Sequence, residues 1–258
     1  MAQPLDMGLS VERAPGRVRT NFSTVARYRR TMTSRPIALV TGGSRGIGAA
    51  IARSLSETHD VLVGGRDGDA LRETTRSIDG ARAWPVELTD HDAVAEAVQD
   101  VERLDVLVHS AGTAELGAVG EVSVESWRHT FELNLFVVTE LTRLLLPALR
   151  QARGHVVLIN SGAGLSARPN WGSYAASKFA LRAYADVLRG EESANGIRVT
   201  SVYPGRVATD MQRDIRATEG GEFAPENYLR PESVADSVVT AVRAPTDAHP
   251  TDLTVRPS

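Results

Sequence analysis

From Pro36 onward the chain alternates short β-branched apolar runs with longer stretches whose apolar residues recur at helical spacing. The runs Ile37–Val40, Val61–Val63, Ala83–Val86, Val106–Ser110, His155–Ile159, Ile197–Val202 and Leu253–Val255 are predicted strands. Amphipathic stretches over 46–57, 68–78, 90–102, 123–151, 173–193 and 231–243 are predicted helices. Strand and helix in repeated alternation call for right-handed crossovers and a parallel sheet covered on both faces. The continuous apolar character of Val106-Leu107-Val108 and Val156-Val157-Leu158-Ile159 marks central strands. The expected fold class is therefore α/β: one doubly wound domain over 35–258, with a parallel sheet of about seven strands.

Residues 1–34 break this pattern. They gather Arg13, Arg17, Arg19, Arg27 and Arg29 with only Asp6 and Glu12 as acids and little apolar periodicity, so they read as an N-terminal extension. Met32 just before the first strand suggests a start upstream of the folded part. A nucleic-acid contact by this basic segment is a weaker reading, because the whole chain carries a net charge of only -3.

Composition narrows the chemistry. With 258 residues the chain can bury a sizeable core, and with no cysteine it has no disulfide, thiolate zinc site, iron–sulfur cluster or thiol nucleophile. No apolar run is long enough to span a bilayer and no signal-peptide core opens the chain, so the expected location is cytoplasmic, with neither membrane nor nucleic acid as partner. Arginine supplies 28 of 29 cationic side chains; Lys178 is the exception.

The first strand ends in Thr41-Gly42-Gly43-Ser44-Arg45-Gly46-Ile47-Gly48 and runs straight into a helix. Glycines at such a junction allow a tight turn and close approach of the backbone to a pyrophosphate, and the helix N-terminus offers unpaired N–H groups. The second strand closes Val63-Gly64-Gly65-Arg66, without the acid that would hold an NAD ribose. Arg66, with Ser44 and Arg45, could instead clamp the 2′-phosphate of NADP, so NADPH is the expected cofactor and NAD the alternative.

Tyr174 and Lys178 stand four apart at the start of a helical stretch, which puts them on one face. With one lysine and five tyrosines in the chain, chance would give this spacing about once in fifty placements. A phenol ordinarily holds its proton to a pKa of about 10, and a nearby ammonium and a nicotinamidium would both favour phenolate. Tyr174 could then exchange a proton with an alcohol or carbonyl oxygen. Ser161, thirteen residues earlier and just after the fifth strand, falls at the carboxyl edge where open α/β sheets bind ligands. His109 ends a buried strand and reads as a core residue rather than a base.

Thr-Gly-x-x-x-Gly-x-Gly followed by Ser and Tyr-x-x-x-Lys resembles the short-chain dehydrogenase/reductase family, in the expected order over nearly all of 36–210. The resemblance implies that Ser161 hydrogen-bonds the substrate oxygen, Tyr174 transfers the proton, and Lys178 holds the nicotinamide ribose while lowering the tyrosine pKa. It adds Asn134 as the asparagine supporting a water in the proton relay. Around the cofactor it places Gly42, Ser44, Arg45, Gly46, Ile47, Gly48, Arg66, Glu87, Leu88, Ala111, Gly112, Pro204, Gly205, Val207 and Thr209, with Thr209 near the carboxamide or phosphate. Two positions depart from the family: His109-Ser110-Ala111-Gly112 replaces Asn-Asn-Ala-Gly, and Glu87 stands for the usual Asp by the adenine. The implied protein is a metal-independent NADP-dependent enzyme interconverting a carbonyl and a secondary alcohol of a small molecule. The alternative is a catalytically silent dinucleotide sensor or interaction protein. Related enzymes form dimers or tetramers through helices such as 123–151 and 173–193, and a homo-oligomer is expected. The segment after Thr209, through Met211, Ile215, Phe223, Tyr228 and Leu229, is the expected lid and, with Trp171, suggests a partly hydrophobic substrate.

Overall fold

A computed structural model describes residues 35–66 and 68–258; the N-terminal extension over 1–34, with its basic segment, lies outside the described residues. Seven strands, β1 (Ile37–Thr41), β2 (Asp60–Gly65), β3 (Arg82–Pro85), β4 (Val106–His109), β5 (His155–Ile159), β6 (Arg198–Pro204) and β7 (Asp252–Val255), form one sheet in the order β3-β2-β1-β4-β5-β6-β7. Every neighbouring pair is parallel. The order reverses between β1 and β4, so the crevice that accepts ligands in such sheets opens above Thr41 and His109, which are register partners. β4 and β5 are buried at every position, as their continuous apolar runs require.

The helices are α1 (Gly46–Ser56), α2 (Asp69–Arg76), α3 (His91–Val98), α4 (Val124–Phe131), α5 (Val137–Ala152), α6 (Gly172–Glu192), α7 (Asp210–Thr218) and α8 (Pro231–Arg243). Asp90 and Ser123 cap α3 and α4 by accepting the N–H of Ala93 and Ser126. None of the helices among the described residues is long and apolar enough to cross a membrane. Two features depart from the sequence pattern. The stretch read as one helix over 123–151 contains a π turn at Glu132–Phe136 between α4 and α5. The expected lid holds a helix, α7, started by Thr209, whose Oγ1 accepts the Gln212 N–H.

At the amino ends of β5 and β6, His155 Nε2 meets Thr200 Oγ1 at 2.8 Å. The Thr200 hydroxyl is already donated to the Pro250 carbonyl at 2.6 Å, so Nε2 must carry the proton. Nδ1 is then a buried lone pair with no partner among the described residues. Burial first, then Arg198 and His249, pushes the His155 pKa down to about 3; burial alone does the same to His109. The unfolded chain takes up these protons below about pH 6.5, whereas the fold refuses them until about pH 3. Stability should therefore fall as pH drops through that window, by on the order of 2 kcal/mol per histidine between about pH 6.5 and about pH 5. Urea midpoints measured across this range should slope less in His155→Gln; an unchanged slope would remove His155 as a source.

Candidate active site

The glycine loop is shaped by contacts no side chain would permit. Gly42 has φ +63, and a Cβ there would lie 2.7 Å from the Ala111 nitrogen. A Cβ on Gly48 would stand 2.2 Å from the Gly42 carbonyl oxygen, so the turn folds against the first residues of α1. Thr41 ties this loop to the neighbouring strand end: its Oγ1 accepts the N–H groups of Ser110 and Ala111 at 3.1 and 3.2 Å. The result is a bare backbone cradle between β1, α1 and the Ala111-Gly112 pair, which fits a dinucleotide pyrophosphate.

The other expected cofactor residues surround this cradle. Gly65 places its α-carbon beside the Ser44 side chain, and Arg66 is exposed at the end of β2. Arg45 lies 3.6 Å from Asp210 across the mouth of the cleft, an exposed pair of little energetic weight that links the glycine loop to α7. Glu87 turns its Oε1 back on Thr89, accepting from the backbone N–H at 3.2 Å and the hydroxyl at 3.0 Å, while Leu88 is buried. Thr209 sits with its methyl group 3.3 Å from the position a Cβ would take on Gly46. Val207, beyond Pro204-Gly205, is buried and bridges Leu229.

The catalytic candidates converge above β4, β5 and α6. Tyr174 is buried, and its ring lies 5.7 Å from that of Trp171. Burial pushes the phenol pKa up, and a hydrogen bond with the Ser161 side chain works in the opposite direction. Lys178, 5% exposed, donates from Nζ to the Ile159 carbonyl at 3.0 Å and stands 5.9 Å from the centre of the Tyr174 ring. Burial brings its pKa down to about 8. Burial is the largest influence at both groups.

Asn134 occupies the π turn. Its Oδ1 accepts the Thr113 N–H at 2.8 Å, and its Nδ2 donates to the Thr113 carbonyl at 2.9 Å and the Ser177 hydroxyl at 3.0 Å. The side chain thereby joins the loop after β4 to α6. His109 is used otherwise: its Nε2 meets Thr142 Oγ1, whose own proton goes to the Val138 carbonyl, making it a hydrogen-bonded core residue.

Asn160 was not among the residues the sequence pointed to. It is buried, accepts the Ser161 N–H through Oδ1 at 2.8 Å, and donates from Nδ2 to the Lys178 carbonyl at 3.1 Å. One side chain thus fixes the Ser161 loop to the helix bearing Tyr174 and Lys178. Its room depends on Gly164, where a Cβ would fall 2.4 Å from Asn160 Oδ1 and 2.9 Å from the Lys178 carbonyl. Gly164→Ala should therefore displace the loop from the helix, costing roughly 1–3 kcal/mol by overpacking. A thermal midpoint equal to wild type, with unchanged activity, would show that the loop yields freely.

A doubly wound sheet with a glycine cradle at the switch point, and a half-buried Ser161 with buried Tyr174 and Lys178 beside it, defines a dinucleotide-dependent oxidoreductase architecture. The sequence model of the short chain dehydrogenase family matches residues 36–220, and the chain belongs to that family. An uncharacterized oxidoreductase of Staphylococcus saprophyticus is 31% identical over 232 residues, covering 86% of this chain and 97% of its own. Glycine betaine reductase of Emericella nidulans is 33% identical over 235 residues, 86% of this chain; the match spans only 18% of that protein. Among solved structures, a metagenomic short-chain oxidoreductase in complex with NADP superposes with a TM-score of 0.73 at 29% identity, covering 86% of this chain and 97% of the other.

Proposed function

We propose that this oxidoreductase uses NADPH to interconvert a carbonyl and a secondary alcohol without a metal ion. The observation that carries the reading is the half-buried Ser161 hydrogen-bonded to the buried Tyr174, with buried Lys178 behind it. When bound, NADPH supplies the hydride that reduces the carbonyl carbon. Ser161 would hold the substrate oxygen, and Tyr174, whose raised pKa keeps its proton at neutral pH, would deliver that proton to the oxygen as the C=O double bond becomes C–O–H. Lys178 would hold the ribose and return positive charge toward the phenolate left behind. Asn134, through its backbone and its anchoring of the loop after β4, would keep the proton relay in line.

The cradle formed by Gly42, Gly46, Ile47, Gly48, Ala111 and Gly112 would take the pyrophosphate and nicotinamide side. Glu87 and Leu88 would border the adenine, and Pro204, Gly205, Val207 and Thr209 the carboxamide. Ser44, Arg45 and Arg66 would face the 2′-phosphate, and the NADP in the related metagenomic oxidoreductase supports this choice. A panel of aldehydes and ketones followed by NADPH absorbance tests the activity, with NADH run in parallel. Oxidation of NADPH well ahead of NADH is expected; tighter binding and faster use of NADH would overturn the phosphate clamp.

A homo-oligomer is part of the same reading. Phe136, Phe179 and Val187 expose apolar side chains along the π turn and α6, whereas Ala175 is buried against its own fold.

A further inference from the structure

Arg206 follows Pro204-Gly205 at the end of β6. Its guanidinium lies 6.0 Å over the Trp171 ring, the same ring that packs 5.7 Å from Tyr174. One nitrogen is engaged: Nη2 donates to both Glu219 oxygens, at 2.8 and 2.9 Å. The other, Nη1, is buried and meets no acceptor among the described residues. Folded proteins rarely leave a buried N–H group without an acceptor, and the Arg206 side chain as a whole is 29% exposed, so the guanidinium stays within reach of the cleft. Gln212 Nε2, on α7, is left in the same condition. Gln212 and Ile215, three residues apart, form the buried side of α7, and Glu219 follows its last turn. One unsatisfied nitrogen thus lies on the connection before α7 and the other on α7 itself, and both lack an acceptor among the described residues.

The charge balance points the same way. Glu219 also pairs with Arg216 at 2.7 Å, so one carboxylate faces two guanidinium groups. Beyond Gly205, Arg256 donates from Nη1 to the carbonyls of Tyr203 and Val255, at 2.8 and 3.2 Å, and no carboxylate faces it among the described residues. Its Nη2 lies 3.3 Å from the position of a Cβ on Gly162, the residue after Ser161. Two guanidinium groups thus border the site, Arg206 beside Trp171 and Arg256 beside Gly162, with Glu219 the carboxylate paired to the first. Of the apolar lid residues, Leu229 packs on the sheet core, Ile215 is buried, Phe223 lies between Tyr228 and the Arg213 guanidinium, and Met211 is exposed.

We propose that the substrate carries a carboxylate in addition to its reducible carbonyl, and that Arg206 receives this carboxylate through Nη1, with Arg256 adding to the attraction. The substrate class is an oxo acid or the corresponding hydroxy acid. This rests on the reductase reading of the same site. A carboxylate supplies the missing acceptor as a charge-assisted hydrogen bond and competes with Glu219 for the guanidinium. Arg206 is then a specificity-determining residue.

The test uses the full chain and matched probes: pyruvate, acetoacetate and levulinate, each beside its methyl ester. Affinity is read by calorimetry with NADP+ present, and turnover with NADPH. At least one acid should bind about tenfold or more tightly than its ester. Arg206→Gln should erase the preference and Arg256→Gln reduce it, while Glu219→Gln, which removes the competing carboxylate, should enlarge it. Should Arg206→Gln fail to fold, the Glu219→Gln result decides. Equal binding of acid and ester, no binding of any acid, or a preference that survives Arg206→Gln or shrinks in Glu219→Gln overturns the proposal. If esters are reduced as well as acids in a Tyr174-dependent way, only the carboxylate inference falls. If acids bind through Arg206 but no probe is reduced, the reductase reading falls and the binding inference stands.

Discussion

Tyr174→Phe is expected to lower turnover by at least about 10²–10⁴-fold, the usual contribution of a positioned proton donor, while NADPH affinity stays near wild type. The ring would keep its packing on Trp171, so the change removes one buried hydroxyl and its hydrogen bond with Ser161. The associated loss of stability should be only about 0.5–1.5 kcal/mol. Steady-state NADPH oxidation, read beside a cofactor titration by tryptophan fluorescence, separates the two effects. Wild-type turnover in the variant would show that another group donates the proton. The direction of the pKa shift adds a second check. A phenol held protonated by burial is ready to donate at neutral pH, so reduction should need no alkaline activation, whereas alcohol oxidation, which needs the phenolate, should rise with pH.

The second large effect is expected from Lys178→Arg, although it conserves charge. Nζ is enclosed by the Ile159 carbonyl, to which it donates, and by Gly112, on which a Cβ would lie 3.8 Å from Nζ and 2.9 Å from Asn134 Oδ1. A planar guanidinium is wider than this space and cannot shed its proton, whereas burial lets the lysine do so at a pKa of about 8. Arginine would thus bring a permanent buried charge into a site that fits an ammonium, with turnover reduced by about 10²-fold or more and a lower thermal midpoint. In wild type, kcat/KM for reduction should decline above about pH 8 as the ammonium is lost. Near-wild-type kinetics for the arginine variant would mean that only the charge at this position matters. Its use of the chain's single lysine, among 28 arginines, is consistent with a demand that arginine does not meet.

The strands and most helices were legible because their information is local: Val106–Val108 and Val156–Ile159 are apolar without interruption, and α1 begins inside a glycine-rich run. The Tyr174–Lys178 spacing was legible for the same reason, since helical geometry alone aligns the pair. Three features were not. The π turn is a change of hydrogen-bond register inside an unbroken amphipathic pattern, so no residue type announces it. α7 was hidden because Thr209 was read for its cofactor contact, while the same hydroxyl also caps a helix. Asn160 looks like an ordinary polar residue at a strand end; only the distant Lys178 carbonyl and the bare α-carbon of Gly164 give it a purpose. The lid was read for its apolar residues, of which Ile215 and Leu229 pack into the fold and Met211 is exposed; Arg206, just before it, drew no notice because its place beside Trp171 appears only in the folded chain.

The π turn also sets a phase relation. Each residue turns a helix by about 100°, so one residue too many or too few between 132 and 136 would rotate α4 against α5 by that angle. Asn134 would leave Thr113 and Ser177, or the buried face of α5 would leave the core. Substitutions that spare Asn134 leave this phase intact; a change of length does not. The spacing between the loop that carries the site and the helix that anchors it is counted in whole residues, and that count behaves as a fixed quantity of the fold.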